Sequence, residues 1–374
     1  MATTNTTVTH RREGVEEGLK KGLRNRWYVM LPSEKLTNAP VAIQALGEEL
    51  VVYRDDKGKP HTFIDFCPHR GAALSLGDVV EGQLVCGYHG IAYDGEGNCT
   101  AVPAEGPESK LLKRLKLKGY PTTERVGLVW AYIGDPDLFP PPPLEVPAEL
   151  EDESWTGFIC YAHWKTNWLV ALDNLADPMH APFLHGKSYT LRFGAKQDRM
   201  IVVDMPHGFR VEREKQKGVN FDWSELGDTG AMWCRLDIPY PKSAGPGGPL
   251  RIVGFITPND ENESDVYFLR YRQVQGWQRR VWRTLYKTRL EARHWHVLEQ
   301  DRVMMEKVSL RARLNEKMGQ TDIGVIRLRK MINMEFFKQQ EVYRQVSQSP
   351  KNGAGENLTD AQKESLSETI LAND

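Results

Sequence analysis

The chain of 374 residues is long enough for about two domains, and its formal net charge of −1 gives no reason to expect attraction to nucleic acid or to a membrane surface. No stretch approaches the roughly 20 apolar residues of a membrane-spanning helix, and the polar N-terminus lacks the apolar core of a secretory signal. The five cysteines are odd in number, which argues against a disulfide framework. We therefore expect a cytoplasmic protein.

The first third of the chain predicts one helix followed by many short strands. Within the N-terminal segment 1–24, residues 11–23 are rich in Arg, Glu and Lys and indicate an amphipathic helix. Short β-branched runs separated by Gly and Asp then predict antiparallel strands and hairpins. These runs lie at residues 26–30, 41–44, 50–53, 91–97 and 126–133. We expect a small antiparallel β domain over residues 25–140.

A run of four prolines at 140–143 predicts the boundary between two domains, because polyproline is stiff and enters neither a helix nor a central strand. The second domain is expected over residues 148–345, and a polar tail over 346–374. Strands are predicted at 158–164, 200–204, 208–212, 231–239, 250–256 and 264–273. Helices are predicted at 167–175 and within 277–318.

Two short Cys/His loops form the first chemical signature. Cys-Pro-His-Arg-Gly lies at 67–71 and Cys-Gly-Tyr-His-Gly at 86–90. Two thiolates and two imidazoles would also satisfy tetrahedral zinc, but zinc sites usually open with a Cys-x2-4-Cys knuckle. In a Rieske centre two histidines replace two cysteines on one iron and raise the reduction potential to about −150 to +300 mV. The pattern favours a Rieske 2Fe–2S cluster. Its predicted ligands are Cys67, His69, Cys86 and His89.

The second signature lies about ninety residues later, in the run 173–185. It contains Asp173, Asp177, His180 and His185 within thirteen residues. Two neutral imidazoles with one carboxylate form a metal face with open positions, which suits non-haem Fe(II) and oxygen chemistry. Two histidines five residues apart are more often ordinary polar or core residues. The preceding Cys/His loops are what favour a metal site here.

Taken together, these motifs make the chain resemble the catalytic (alpha) subunits of the Rieske non-haem iron oxygenases, from about residue 25 to residue 340. It is similar to the group that contains phthalate dioxygenase and the aromatic O-demethylases. The run Tyr120-Pro121 with Gly-Leu-Val-Trp at 127–130 adds to the match. The resemblance implies an α+β protein with an antiparallel β Rieske domain and a helix-grip (Bet v 1/START-like) catalytic domain. The residue pattern alone predicts only α+β.

The resemblance also implies a ligand set for a mononuclear Fe(II). His180 and His185 match the two histidines, and Asp301 matches a carboxylate in the Asp-x4-Glu segment of a later helix. Glu299 and Glu306 are the rival carboxylates in that helix.

The resemblance also implies roles for residues within the predicted helix 167–175 and just after it. Asp177 matches an aspartate that links a cluster histidine to His180 across the interface of a head-to-tail homotrimer. Asn174 is expected near the iron or the substrate, while Asp173 has either a supporting or a purely structural role. Apart from the resemblance, we expect Phe183, Asn174 and residues near 231–256 to contribute to the substrate pocket.

The activity that the resemblance implies is the oxidation of a small aromatic compound with O2 and electrons from NAD(P)H. Ring hydroxylation or dihydroxylation and the removal of a methyl group from oxygen or nitrogen both fit. The sequence carries no flavin or nicotinamide fingerprint, so electrons are expected from a separate reductase, with or without a ferredoxin. A zinc-binding module without enzymatic activity is a rival reading. A simple Rieske electron carrier is another, but a carrier needs only the first domain.

Overall fold

The computed structural model describes residues 14–188, 191–219, 221–238 and 247–348. The first thirteen residues of the N-terminal segment and the tail from 349 onward lie outside this description. Among the described residues, no helix is both long and apolar enough to cross a membrane.

The N-terminal half contains three antiparallel sheets. Their orders are β1-β11-β10, β2-β3-β4-β9 and β5-β6-β7-β8. The strands are β1 Arg26–Pro32, β2 Val41–Ala45, β3 Glu48–Arg54, β4 Pro60–Ile64, β5 Asp78–Val80, β6 Gln83–Val85, β7 Ala92–Tyr93, β8 Cys99–Ala101, β9 Gly119–Tyr120, β10 Thr122–Arg125 and β11 Leu128–Ile133. The first Cys/His loop follows β4, and the second connects β6 with β7. The strands thus hold the two loops at their ends.

The C-terminal half is built on one antiparallel sheet of seven strands. Its order is β12-β18-β17-β16-β15-β14-β13. The strands are β12 Trp155–Trp164, β13 Met200–Met205, β14 Gly208–Arg213, β15 Trp223–Asp228, β16 Met232–Ile238, β17 Leu250–Pro258 and β18 Ser264–Gln273.

Helices accompany this large sheet. They are α1 14–19, α2 Trp168–Leu175, α3 Ala181–Leu184, α4 Gly276–Leu285, α5 Glu291–Met305 and α6 Ile323–Gln348, with a π-helical segment Tyr286–Leu290 between α4 and α5. Short 3-10 turns lie at Ser33–Lys35, Leu74–Leu76, Lys110–Lys113, Ala148–Leu150, Pro178–His180, Leu310–Leu314 and Gln320–Asp322.

The seven-stranded sheet is covered on both faces. On one face, Trp168 of α2 and Leu328 of α6 share a core with Phe268 of β18. On the other, the ring of Trp130 in β11 meets that of Phe255 in β17 edge to face, with centroids 4.9 Å apart. Because successive strand residues point to opposite faces, β12, β16, β17 and β18 contribute to both cores. The large sheet therefore links the cluster-loop half to the helices.

The α+β class and the antiparallel N-terminal sheets agree with the prediction, but no range was predicted for the short N-terminal strands β4, β5, β6, β8, β9 and β10. Three elements of the C-terminal half also differ from the prediction. The prediction missed β15, whose sequence Trp-Ser-Glu-Leu-Gly-Asp is polar because Glu225 forms ion pairs with arginines on both neighbouring strands. The helical stretch predicted within 277–318 ends at Met305. The 26-residue helix α6 was not predicted, and it continues to Gln348. The domain limits at 25–140 and 148–345 stay a prediction.

Candidate metal centres and cavity

The two Cys/His loops have the same backbone geometry. In each, the cysteine N–H donates to the carbonyl five residues later, and the cysteine carbonyl accepts from the glycine four residues later, at 2.8 to 2.9 Å. The two glycines, Gly71 and Gly90, have φ of 77° and 67°. Glycine is the residue that adopts this left-handed conformation at little cost. The paired turns therefore present Cys67 and Cys86 in equivalent positions.

The four side chains of the loops form a suitable donor set for a 2Fe–2S cluster. Cys67 and Cys86 are buried free thiols, while His69 and His89 are half-buried with ring centroids 4.7 Å apart. Nδ1 of His69 is buried and has no hydrogen-bond partner. Burial raises the pKa of the Cys67 thiol, whose Sγ lies 3.1 Å from the Tyr93 hydroxyl. Buried thiols beside an unpartnered imidazole nitrogen are what a cluster would satisfy.

The second candidate centre begins where α2 ends at Leu175. Asp177 caps the 3-10 turn that follows, because its side chain accepts from the Met179 N–H at 2.8 Å. Pro178 starts that turn and Pro182 lies in the short helix α3. As expected from the two prolines, the run is an irregular series of short turns. This path directs His180 and His185 toward the same point.

Three side chains converge there. Nε2 of His180 and Nε2 of His185 lie 3.4 and 3.2 Å from Oδ1 of Asp301. One ligand atom from each lies within 4.8 Å of the others, and Oδ1 of Asp301 is buried without a hydrogen-bond partner. Burial alone would raise the pKa of Asp301, but the two adjacent imidazoles lower it to about 2. The set fits a mononuclear Fe(II) face of two histidines and one carboxylate.

The far side of each imidazole is held by an oxygen acceptor. Nδ1 of His180 lies 2.5 Å from the backbone oxygen of Asp177, and Nδ1 of His185 lies 3.1 Å from Oε1 of Gln300. Since both partners accept, each Nδ1 carries the hydrogen and each Nε2 keeps its lone pair for a metal. Gln300 was not predicted as a site residue, because no sequence motif includes it.

Replacing Gln300 with methionine should weaken Fe(II) binding about 10- to 100-fold, the usual effect of removing a hydrogen-bond partner from a metal-binding histidine. Iron titration of the metal-free site would measure the change. Gln278→Met in α4 serves as the control, because that residue lies away from both histidines. Unchanged iron affinity in Gln300→Met would show that His185 is oriented by packing alone.

The structure separates Asp301 from its rival carboxylates. Glu299 contacts the guanidinium of Arg302. Glu306 pairs with Arg302 at 2.7 Å and accepts from the Lys165 N–H at 3.0 Å. Neither glutamate is among the residues that converge with the histidines.

The three polar residues that precede His180 have different surroundings. Asn174 is buried and lines a cavity beside the two histidines. Asp173 forms ion pairs with two arginines. The Asp177 carboxylate lies 4.0 Å from Nδ1 of His180, and burial raises its pKa. Its bridging role between subunits stays a prediction.

The cavity beside the histidines is mostly apolar. Its lining residues are Asn174, Leu175, His180, His185, Leu191, Phe221, Leu236, Ile238, Ile252, Phe268, Arg270, His294, Val297, Leu298 and Asp301. The expectation for Phe183 was wrong. Its side chain is 60% exposed on the outer side of α3, with the Lys196 ammonium 5.7 Å from its ring centroid.

Two family models match the chain in the order of its two candidate centres. The Rieske [2Fe-2S] domain matches residues 26–121, and the vanillate O-demethylase oxygenase C-terminal domain matches residues 164–334. The chain therefore belongs to the Rieske non-haem iron oxygenases. Within that family it is a catalytic (alpha) subunit. Its cofactors are accordingly a Rieske 2Fe–2S cluster and the mononuclear iron of the catalytic domain.

Individual relatives agree with the family match. The chain is 33% identical over 189 residues to the vanillate O-demethylase oxygenase subunit of Pseudomonas sp. (strain HR199 / DSM 7063), a match covering 50% of each protein. It is 37% identical over 166 residues to the 3-chlorobenzoate-3,4-dioxygenase oxygenase subunit of Comamonas testosteroni, covering 44% of this chain and 38% of that one. The chain thus spans about half or less of the curated relatives it matches.

Solved structures show the same fold over most of the chain. NdmA of Pseudomonas putida CBB5 superposes with a TM-score of 0.71 at 21% identity, covering 92% of this chain and 99% of that one. Dicamba monooxygenase bound to dicamba gives a TM-score of 0.65 at 24% identity, covering 85% of this chain and 98% of that one.

Proposed function

We propose that this protein is the terminal component of an oxygenase system that oxidises a small aromatic compound with O2 and electrons from NAD(P)H. The observation that carries the proposal is the convergence of His180, His185 and Asp301 in the wall of an apolar cavity, in a chain with a Rieske domain. When bound, the cluster supplies single electrons and the iron supplies dioxygen activation. The apolar walls suit an aromatic ring and exclude water.

The proposed roles of the site residues follow from their contacts. His180, His185 and Asp301 hold the iron, while the Asp177 carbonyl and Gln300 keep the proton on Nδ1 of each imidazole. Asn174 lies beside the histidines and contacts the substrate. The proposed cluster ligands are Cys67, His69, Cys86 and His89.

Two reactions are candidates, and each has support. The catalytic half matches a domain family named for vanillate O-demethylase, which favours the removal of a methyl group from an aromatic ether. The relative named 3-chlorobenzoate-3,4-dioxygenase supports ring dihydroxylation as the second candidate. The iron face is the same in both, so the shape of the cavity decides which carbon is oxidised.

The proposed assembly is a head-to-tail homotrimer in the cytoplasm, supplied by a separate reductase with or without a ferredoxin. Apolar side chains next to the cluster loops support a contact there, since Phe66, Leu76 and Tyr88 are all exposed. Exposed apolar groups of this kind mark interaction surfaces. Head-to-tail contacts whose rotation closes produce rings. In that assembly Asp177 would face a cluster histidine of the neighbouring subunit.

Metal analysis together with an absorption spectrum would test the proposal first. A brown protein with about three irons per chain is expected, two from the cluster and one mononuclear. Zinc without colour would contradict the proposal. Two irons per chain would agree with the cluster but would contradict the mononuclear iron.

Product analysis with a supplied reductase would then distinguish the two reactions. Formaldehyde release from methoxy-substituted aromatic compounds marks demethylation, whereas a cis-diol marks ring dihydroxylation. If the iron-loaded protein gives neither product with any aromatic compound tested, the proposed aromatic oxygenase activity is contradicted.

A further inference from the structure

A buried arginine lines the cavity without a carboxylate partner. Arg270 of β18 is 2% exposed, and its Nη1 donates to the Tyr286 hydroxyl at 2.8 Å. Its guanidinium also lies 5.2 Å from the ring centroid of Trp295. Across the described ranges, no Asp or Glu oxygen pairs with it. A buried charge is costly unless it is paired, so this guanidinium needs an anion that the described chain does not provide.

A second polar group in the cavity wall is unpartnered. His294 of α5 is 7% exposed, and its buried Nδ1 has no hydrogen-bond partner. Burial, followed by the charges of Arg270 and Arg293, lowers the pKa of His294 to about 3. The imidazole is therefore neutral at pH 7 and can donate one hydrogen bond. Arg270 and His294 together define what we call the polar corner of the cavity.

The corner is rigidly supported from behind. The Tyr286 ring stacks on Phe158 of β12, with centroids 4.6 Å apart and an interplanar angle of 12°. Phe158 is in turn the cross-strand partner of Arg270. Tyr286 starts the π-helical segment, and such segments often occur at functional sites.

The polar corner lies at the opposite end of the cavity from the candidate iron ligands. His294 and Asp301 are seven residues apart on α5, which places them on the same face and about 10 Å apart along the helix axis. Val297 and Leu298 lie between them, and both line the cavity. This arrangement leaves an apolar space for one aromatic ring between an anion site and the metal site.

We propose that Arg270 and His294 bind the carboxylate of an aromatic acid, so that the ring carbon or ring substituent opposite the carboxylate faces His180, His185 and Asp301. The inference rests on the proposed function and names its substrate class. Arg270 supplies the charge and the forked geometry that a carboxylate matches, and His294 supplies one further N–H. A neutral aromatic compound of the same shape would leave the arginine unpaired.

Calorimetric titration of the full-length protein would test this subsite without relying on turnover. The probes are 2-, 3- and 4-methoxybenzoate, each compared with its uncharged methoxybenzamide. At least one benzoate is expected to bind about tenfold more tightly than its amide. Arg270→Gln should weaken that benzoate about 10- to 100-fold, as expected for a charge-assisted contact, and change amide binding about twofold at most.

Two further variants control for effects on folding. Arg272→Gln removes another buried arginine of β18, one that bonds to the Gly248 backbone oxygen and lies outside the cavity lining. It should keep the benzoate preference. Arg270→Lys keeps the charge without the fork and should bind benzoate with intermediate affinity. If Arg270→Gln does not fold, the lysine variant and the ratio of benzoate to amide affinity in the unmodified protein still test whether Arg270 binds the carboxylate.

Three results would overturn the inference: equal affinity for benzoates and amides, unchanged benzoate binding in Arg270→Gln, or no binding of any benzoate. Failure of the proposed function looks different. An oxygenase that turns over amides and benzoates equally would lack only this subsite, whereas a protein without mononuclear iron that still prefers benzoates would lack only the oxygenase activity.

Discussion

Replacing Asp301 with alanine is expected to remove the mononuclear iron and leave the 2Fe–2S cluster in place. Asp301 is the only carboxylate among the described residues that converges with His180 and His185. Two imidazoles alone hold Fe(II) poorly, because the carboxylate supplies the negative charge of the face. The loss in iron affinity should exceed the about 10- to 100-fold that removal of an outer hydrogen-bond partner causes. Oxygen-dependent turnover should fall to background.

The measurements are iron content and the visible spectrum of the same preparation. Iron should fall from about three to about two per chain, while the cluster absorption stays unchanged. Glu299→Ala is the matched control, since that carboxylate lies two residues away on the same helix but pairs with Arg302. If Asp301→Ala keeps all its iron, a residue other than Asp301 is the third ligand of the mononuclear iron.

Replacing Asp173 with alanine should cause a large loss in the free energy of unfolding. This carboxylate lies on α2, where it contacts Arg313 of the 3-10 turn 310–314 and pairs with Arg329 of α6 at 2.6 Å. Arg313 is buried, and removing Asp173 would leave it with only the Glu16 carboxylate of α1, 3.2 Å from its Nε. Removing one partner of a buried pair costs about 3 to 5 kcal/mol in the free energy of unfolding, and the remaining Glu16 contact places the expected loss at the lower end of that range. Urea unfolding followed by circular dichroism would measure it.

An exposed ion pair on α6 provides the comparison. Arg327 pairs with Asp204 at 2.8 Å, but the Asp204 side chain is 80% exposed. Surface pairs contribute about 0 to 1 kcal/mol, so Asp204→Ala should leave the unfolding transition almost unchanged. If both aspartate variants behave alike, the Asp173 network does not hold α2, the 3-10 turn and α6 together.

The sequence by itself determined the features that depend on neighbouring residues. The two Cys/His loops require a glycine at a fixed distance from each cysteine, and Gly71 and Gly90 have the left-handed φ that such a turn needs. Pro178 and Pro182 interrupt the helix before His185, so the irregular path could be predicted from the sequence. Alternating apolar residues identified most strands. In the seven-stranded sheet only β15 was missed, because its charged partners lie on other strands.

The tertiary structure decided what depends on residues far apart in the chain. The family resemblance favoured Asp301 over Glu299 and Glu306, but the residue pattern alone does not distinguish the three. The packing of α5 against the segment after α2 brings Asp301 to the histidines. The same packing supplies Gln300 to His185. Arg270 is one of several arginines in β18 and α4, yet the sheet directs it into the cavity. Burial and unpaired charge arise from such long-range contacts, so no local pattern encodes them.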